Sequence, residues 1–221
     1  MGDQVMGDKI VQKGNYTIGK IEAPARRQPN QVLILTANPQ GTPQLRVDRE
    51  MRAISMAINS GLHRERLRVV TAADVRYYDL QHLLPHENPV AVHFIGHGNQ
   101  AGGIVLSDDG GYPLAVQPED VAGTFQHLGQ SVRCVVLNAC YTRAQAKAIA
   151  VHVPCVVGTT MAIRDDLAAE FAAGFYTAIS AGRSVDTAFH VGRNRVALGS
   201  GPAGDDDVVL EGDGRKIYLH D

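Results

Sequence analysis

Two side chains with the chemistry of a nucleophile and a base, Cys140 and His97, each follow an apolar run in the sequence. Residues 90–95 form the run before His97, and residues 132–137 form the run before Cys140. A buried strand that ends in such a residue delivers it to the carboxyl edge of a parallel sheet, where open α/β folds bind ligands. The pattern therefore predicts a cysteine nucleophile that is activated by a histidine base.

Backbone groups in the same two segments are candidates for an oxyanion hole. Gly98 has no side chain to cover its N–H group, and the N–H group of Cys140 is the second candidate donor. Thr142 is predicted to cap a helix, which would place Cys140 just before a helix N-terminus. The dipole of that helix would favour a thiolate at Cys140.

A structural role is the alternative for each of these residue types. A cysteine at a strand end is more often a small buried residue than a nucleophile. Cys134 and Cys155 lie inside apolar runs, so we predict that both belong to the core. His93 alternates with the core face of its strand and is predicted to be buried or to support the site. The joint pattern of His97 and Cys140, each at a strand end, favours catalysis for that pair.

The composition excludes several other classes of function. The chain has 221 residues and a net charge of −2, so no basic field favours nucleic acid or an anionic membrane. Its three cysteines show neither a disulfide framework nor zinc spacing, and we expect no metal or cofactor. No signal peptide and no apolar run of transmembrane length is recognised. We therefore expect a cytoplasmic protein with reduced thiols.

The order of predicted elements indicates an α/β fold with a mainly parallel central sheet and helices on both faces. The predicted strands are 32–37, 67–71, 90–95, 132–137 and 155–157, with hairpins at 102–112 and 208–219; the predicted helices are 48–59, 73–84, 118–127, 142–150, 167–180 and 184–198. We place one domain at residues 31–221 and an N-terminal arm at residues 1–30. The arm has too few large apolar residues to fold alone, and we hypothesise that it mediates self-association or binds an activator.

Two segments of the chain resemble the signatures of a known family. Val92-His-Phe-Ile-Gly-His-Gly98 and Val136-Leu-Asn-Ala-Cys140 are similar to those of CHAT domains, which are caspase-like peptidases related to separase. Further similarity lies in residues 45–54, 156–166, 171–176, 182–189 and 208–213. The resemblance covers roughly residues 31–221. It implies a caspase-like three-layer sandwich and a catalytic dyad of His97 and Cys140.

The resemblance also suggests a binding site for the substrate residue before the cleaved bond. Related Arg-specific peptidases place an acidic residue after the fifth strand, where this chain has Asp165 and Asp166. Either carboxylate could hold an Arg or Lys side chain by a charge-assisted contact. Alternatively, Asp165 caps the next helix and Asp166 is an acid of its first turn. Arg164 is close enough in sequence to neutralise the pocket.

Three functions remain open at this level. The leading hypothesis is a cytosolic cysteine endopeptidase with a protein or peptide substrate, and the resemblance implies a role in bacterial conflict or regulated cell death. The second is a non-catalytic interaction or scaffold module with a caspase-like fold. A third, nucleotide or phosphate binding, is suggested by glycines at 96–98 and 101–103, but the sequence lacks a P-loop or dinucleotide fingerprint.

Overall fold

The computed structural model of the protein describes residues 28–200 and 207–221. In chain order its elements are β1 (Asn30–Thr36), α1 (Val47–Asn59), a 3-10 turn (Arg64–Arg66), β2 (Leu67–Ala72), α2 (Asp79–Glu87), β3 (Ala91–Ile95), β4 (His97–Gly98), β5 (Ile104–Ser107), β6 (Pro113–Ala115), α3 (Pro118–Leu128), β7 (Cys134–Asn138), α4 (Arg143–Ile149), β8 (Cys155–Thr159), α5 (Asp165–Ser180), α6 (Val185–Ser200) and β9 (Val208–Gly212). The hypothesised arm lies outside the described residues, except for its last three positions.

A six-stranded sheet with the order β2–β1–β3–β7–β8–β9 forms the centre of the protein. The first five of these strands are parallel, and β9 runs antiparallel to β8 at one edge. The predicted α/β class with a mainly parallel sheet is therefore confirmed. The central strands read as continuous apolar runs because both faces of the sheet are covered.

Two hydrophobic layers cover the sheet, one on each face. On one face, α1, α5 and α6 pack against alternate strand residues such as Val32 and Ile34. On the other face, α2, α3 and α4 pack against Leu33 and Leu35. The alternation follows from the period of two in a strand. The result is the three-layer sandwich expected from the sequence.

A small second sheet, β4–β5–β6, lies beyond the end of β3. The hairpin predicted at 102–112 exists, but it is longer than predicted, because its second strand, β6, begins only at Pro113. In its turn, Asp108 accepts hydrogen bonds from the N–H groups of Gly110 and Tyr112. β5 also pairs with β4, which contains His97. The hairpin therefore fixes the backbone on which the candidate base stands.

The helix predicted over 73–84 is wrong at its start, because α2 begins only at Asp79. Asp74 has φ 51°, a left-handed conformation that an α-helix cannot contain. Asp79 instead accepts a hydrogen bond from the N–H of Arg76 at 2.7 Å, which closes a turn before the helix.

The second half of the hairpin predicted over 208–219 is also wrong, because residues 213–221 form no strand. β9 pairs with β8 along its whole length instead. The following segment packs across the domain, where the carbonyl of Ile217 accepts from the N–H of Val185 and Leu219 is fully buried. In the described part of the chain, no helix is both long and apolar enough to span a membrane.

Candidate active site

His97 and Cys140 stand at equivalent positions beyond two neighbouring strands. β3 and β7 pair in parallel, with Ile95 opposite Asn138, and each reactive residue comes two positions after its member of that pair. Both line one cleft at the carboxyl edge of the sheet. The structure therefore brings together the two residues that the sequence singled out.

No hydrogen bond joins His97 to Cys140 in the described structure. The thiol of Cys140 is directed at the carbonyl oxygen of Ile163, 3.9 Å away. The Nε2 atom of His97 is buried and has no hydrogen-bond partner among the described residues. Catalytic hydrogen bonds are often long in a free enzyme and tighten when substrate binds. The arrangement suits a base that engages during the reaction, not a preformed thiolate–imidazolium pair.

Gly98 is packed directly against the backbone of Cys140. A β carbon at Gly98 would overlap the carbonyl group of Cys140, so only glycine fits at this position. The contact joins the segment after β3 to the segment after β7. It sets the spacing of the two segments that carry the reactive side chains.

The two predicted oxyanion donors are free of competing acceptors in the described structure. Asn99 N–H donates to the carbonyl of Gly103 at 3.0 Å, so the adjacent pair Gly98–Ile104 is the non-hydrogen-bonded pair of this antiparallel ladder. The N–H of Gly98 is therefore not consumed by β5. The N–H of Cys140 likewise donates to no described residue. No described residue therefore competes for either donor.

The loop that carries Cys140 is held in an unusual conformation. Tyr141 has φ 58°, a left-handed value that is costly for a residue other than glycine. Its N–H donates to the carbonyl of Met161 at 3.2 Å. Thr159 Oγ1 donates to the carbonyl of Ala139 at 2.5 Å. These bonds anchor the loop of Cys140 to the neighbouring strand β8 and to the loop after it.

Thr142 precedes α4 as predicted, but its hydroxyl does not cap the helix. The hydroxyl lies within hydrogen-bond distance, 3.3 Å, of the carbonyl oxygens of Leu137 and Ala139 and of Thr159 Oγ1. Thr142 therefore connects the loop of Cys140 to two strands. The capping hydrogen bond that the sequence led us to expect at the start of α4 is therefore not made.

The other two cysteines are core residues, as predicted. Cys134 and Cys155 are opposite one another on β7 and β8, and both are fully buried. A hydrogen bond with Cys155, together with burial, raises the pKa of the Cys134 thiol well above its usual range. A protonated, buried thiol is a poor nucleophile. Cys140 is the partly exposed cysteine.

The structure separates Asp165 from Asp166. Asp165 lines the cleft, and its Oδ2 accepts a hydrogen bond from the N–H of Arg46 at 3.3 Å. Asp166 is outside the cleft and binds Arg164 through two contacts, of 3.0 and 2.6 Å. This contact lowers the pKa of Asp166. Both residues lie in the first turn of α5, and neither is its N-cap.

Glu50 is a cleft residue to which the sequence analysis gave no role. It lies on α1, is 4% exposed and lines the cleft with His97 and Cys140. A signal was present in the sequence, because Glu50 precedes Ile54 and Ile58 at spacings that place all three on one face of α1. A carboxylate in a buried apolar stripe requires partners.

In the described part of the chain, no cluster of three or more His, Cys, Asp or Glu side chains could hold a metal ion.

The architecture is that of the caspase-like cysteine proteases. A secreted C11 cysteine protease from Bacteroides thetaiotaomicron superposes with a TM-score of 0.57 at 10% identity, over 82% of this chain and 66% of that one. The Arg-specific cysteine proteinase gingipain R gives 0.62 at 9% identity, over 88% of this chain and 48% of that one. Caspase-1 from Spodoptera frugiperda gives 0.54 at 9% identity, over 88% of this chain and 90% of that one. Identities this low show a shared fold.

The CHAT domain family matches residues 17–206, which is most of the chain, and the protein belongs to that family. The match begins inside the segment that the sequence analysis assigned to the arm. No curated protein sequence matches this chain.

Proposed function

We propose that the protein is a cysteine endopeptidase in which Cys140 is the nucleophile and His97 is the general base. One observation carries the proposal. His97 and Cys140 each lie two residues beyond paired positions of two neighbouring parallel strands, and both line the same cleft. Two free backbone N–H groups, of Gly98 and Cys140, belong to the same segments. Membership of the CHAT family and the caspase-like fold support the same reading.

The arrangement suggests a two-step reaction. The Cys140 sulfur attacks the carbonyl carbon of the scissile peptide and forms a C–S bond, while His97 takes up the thiol proton. The carbonyl oxygen becomes an oxyanion that accepts hydrogen bonds from the N–H groups of Gly98 and Cys140. His97 then gives its proton to the leaving amine as the C–N bond breaks. Water, deprotonated by His97, hydrolyses the thioester and restores the thiol.

Asp165 and Asp166 are proposed to favour a substrate with Arg or Lys before the cleaved bond. Asp165 is the better placed, because it lines the cleft and its carboxylate has no cationic side-chain partner among the described residues. Asp166 is neutralised by Arg164 and would contribute only if that pair separated.

The size of the cleft suggests that the resting protein is closed. Its cavity volume is about 40 Å³. A cavity volume of this kind holds only about three or four water molecules, so a long Arg side chain needs the walls to move. The backbone contact between Arg46 and Asp165 and the approach of Ile163 to Cys140 would have to loosen. This supports a protease that is opened by its substrate or by an activator.

We further propose that such control serves a bacterial conflict or regulated cell-death system in the cytoplasm. The segment 1–30 is the proposed surface for the activator or for self-association. Deletion of residues 1–28, followed by light scattering and by cleavage assays, tests this. An unchanged mass together with unchanged activation by cell extract would contradict the proposal.

A non-catalytic binding module is the second candidate. The absence of a His97–Cys140 hydrogen bond in the described structure and the small cleft favour it. Profiling with a peptide library separates the two candidates. The proposed function predicts cleavage by the wild type and none by Cys140→Ala. Binding of peptides by both proteins without cleavage, in the presence of cell extract as a source of activator, would favour the module.

A further inference from the structure

One carboxylate oxygen connects the two strands that lead to the reactive residues. Oε1 of Glu50 accepts a hydrogen bond from Nε2 of His93 on β3 at 2.6 Å. The same oxygen accepts from the side-chain amide of Asn138, the last residue of β7. His93 is four positions before His97, and Asn138 is two positions before Cys140. Glu50 therefore bridges β3 and β7 immediately beneath the cleft.

The hydrogen-bond roles in this cluster can be assigned from its partners. Nδ1 of His93 lies 3.2 Å from the hydroxyl of Tyr176. Burial raises the pKa of Tyr176 well above its usual range, so the hydroxyl keeps its proton. That proton has no other acceptor among the described residues, so Tyr176 donates to Nδ1. Nδ1 of His93 then accepts this bond, and its Nε2–H donates to Glu50.

The orientation of Asn138 depends on this carboxylate. Its amide nitrogen donates to Glu50 and, at 3.2 Å, to the carbonyl of Ala168 on α5. Its Oδ1 is buried and has no partner among the described residues. Rotating the amide by half a turn would point Oδ1 at two acceptors, so the observed orientation is fixed. The backbone carbonyl of Asn138 in turn accepts from the N–H of Gly96, beside His97, at 3.3 Å.

A buried carboxylate is costly, since burial removes its hydration. Apolar residues of similar size at such positions are often as stable or more stable. The stability of the fold alone therefore explains Glu50 poorly. Its bonds to His93 and Asn138 are explained if the ends of β3 and β7 must be held in a fixed geometry.

We infer that Glu50 is a positioning residue that aligns the segments of His97 and Cys140 through His93 and Asn138. The inference rests on the proposed function, because the alignment matters only if Cys140 reacts. Errors of about 1 Å in such an alignment can slow a reaction by as much as 10²-fold.

The test compares Glu50→Gln, Glu50→Leu and the control Ser180→Ala. Ser180 Oγ donates to the carbonyl of Ala57 at 2.9 Å and ties α5 to the opposite end of α1, away from the cleft. The probe is a peptidyl acyloxymethyl ketone, and the measured quantities are its maximal inactivation rate and its inhibition constant. Iodoacetamide, which needs no oxyanion hole, reports the reactivity of the thiol alone.

We expect Glu50→Leu to lower the inactivation rate about tenfold or more, since misalignment acts on the reacting atoms. In Glu50→Leu the inhibition constant and the iodoacetamide rate should stay within about threefold of wild type. Glu50→Gln retains an acceptor oxygen and should keep most of the inactivation rate. Ser180→Ala should lower the melting temperature without this loss. Equal losses with both reagents, or a loss in Ser180→Ala that matches Glu50→Leu, would overturn the inference.

Amide hydrogen exchange distinguishes failure of this inference from failure of the proposed function. If the wild type is not labelled at Cys140 even with activator-containing extract present, the peptidase proposal fails, and exchange still reports on the alignment. Glu50→Leu should then speed exchange in peptides covering residues 94–100 and 136–142, and Ser180→Ala should not. Unchanged exchange in both peptides would contradict the positioning role by itself.

Discussion

Gly98 lies so close to Cys140 that a β carbon built on Gly98 would be 1.9 Å from the carbonyl oxygen of Cys140. The neighbouring atom belongs to the backbone, so no side chain can rotate away to make room. The contact unites the glycine beside the candidate base with the candidate nucleophile. It makes the geometry of the site depend on the absence of one methyl group.

We predict that Gly98→Ala slows peptidyl probe labelling of Cys140 by about 100-fold, because the backbone of Cys140 must shift by an ångström or so. The rate is measured by mass spectrometry of the intact protein. Gly123→Ala is the matched control, since a β carbon there meets nothing within 4 Å. That control, inside α3, should be more stable than wild type by about 1 kcal/mol and fully reactive. Equal labelling rates in the two variants would refute the account of this contact.

His97→Ala should reduce peptide cleavage by about 10²–10⁴-fold, because a positioned general base is lost. The half-buried side chain of His97 makes no hydrogen bond with a described residue, so the melting temperature should hardly change. Rates and melting temperatures are measured on the same samples.

His93→Ala is the comparison that assigns the two histidines. His93 is fully buried and donates to Glu50, and leaving that buried carboxylate without its donor costs about 1–3 kcal/mol or more. We therefore expect lower stability and a smaller loss of cleavage rate per folded molecule than in His97→Ala. A larger loss of rate in His93→Ala would mean that the roles of the two histidines are exchanged.

Asp165→Asn should weaken cleavage after Arg or Lys by roughly tenfold, because a charge-assisted contact becomes a neutral one. Asp166→Asn should change it less, since Arg164 already holds that carboxylate. The measurement is a peptide-library profile at the residue before the cleaved bond. A profile dominated by Asp or Leu, or one unchanged in the double variant, would reject the acidic pocket.

His220 is expected to destabilise the fold in mild acid. Burial and the stacked ring of His63, 4.2 Å away between centroids, lower its pKa from the usual value of 6.5, with Arg66 acting in the same direction and Asp221 opposing. The unfolded chain then binds a proton at a higher pH than the folded protein does. Stability should fall as the pH drops below about 6.5.

Chemical denaturation at pH 7.5 and 5.5 measures this effect. His220→Gln should reduce the loss of stability, and His82→Gln, at an exposed position of α2, should not. An identical pH dependence in wild type and His220→Gln would show that His220 does not carry it.

The sheet could be predicted from the sequence because its central strands are buried on both faces and read as unbroken apolar runs. The start of α2 could not, since Asp74 is left-handed and the next residue, Val75, is held by bonds to distant strands: its N–H donates to the carbonyl of Thr36, and its carbonyl accepts from the N–H of Ser107. Residues 216–219 have the composition of a strand, but β9 pairs with β8 and not with them. The segment after β9 packs across the domain.

The positions of His97 and Cys140 in a common cleft could also be predicted, because parallel strands deliver their carboxyl ends to one edge of the sheet. The part played by Glu50 could not be read in the same way. Its place in the apolar stripe of α1 signalled burial, but its partners lie on two strands distant in sequence. Likewise, nothing in the order of Asp165 and Asp166 indicated which of them faces the cleft.

The most direct measurement for the central claim is the site of covalent labelling by a peptidyl acyloxymethyl ketone, mapped by peptide mass spectrometry. The account predicts one added label on the wild type, located at Cys140, and none on a folded Cys140→Ala protein. It also predicts that the buried Cys134 and Cys155 stay unmodified in both. A label that persists in Cys140→Ala, or a wild type that remains unlabelled with activator-containing extract present, would contradict the assignment of Cys140 as the nucleophile.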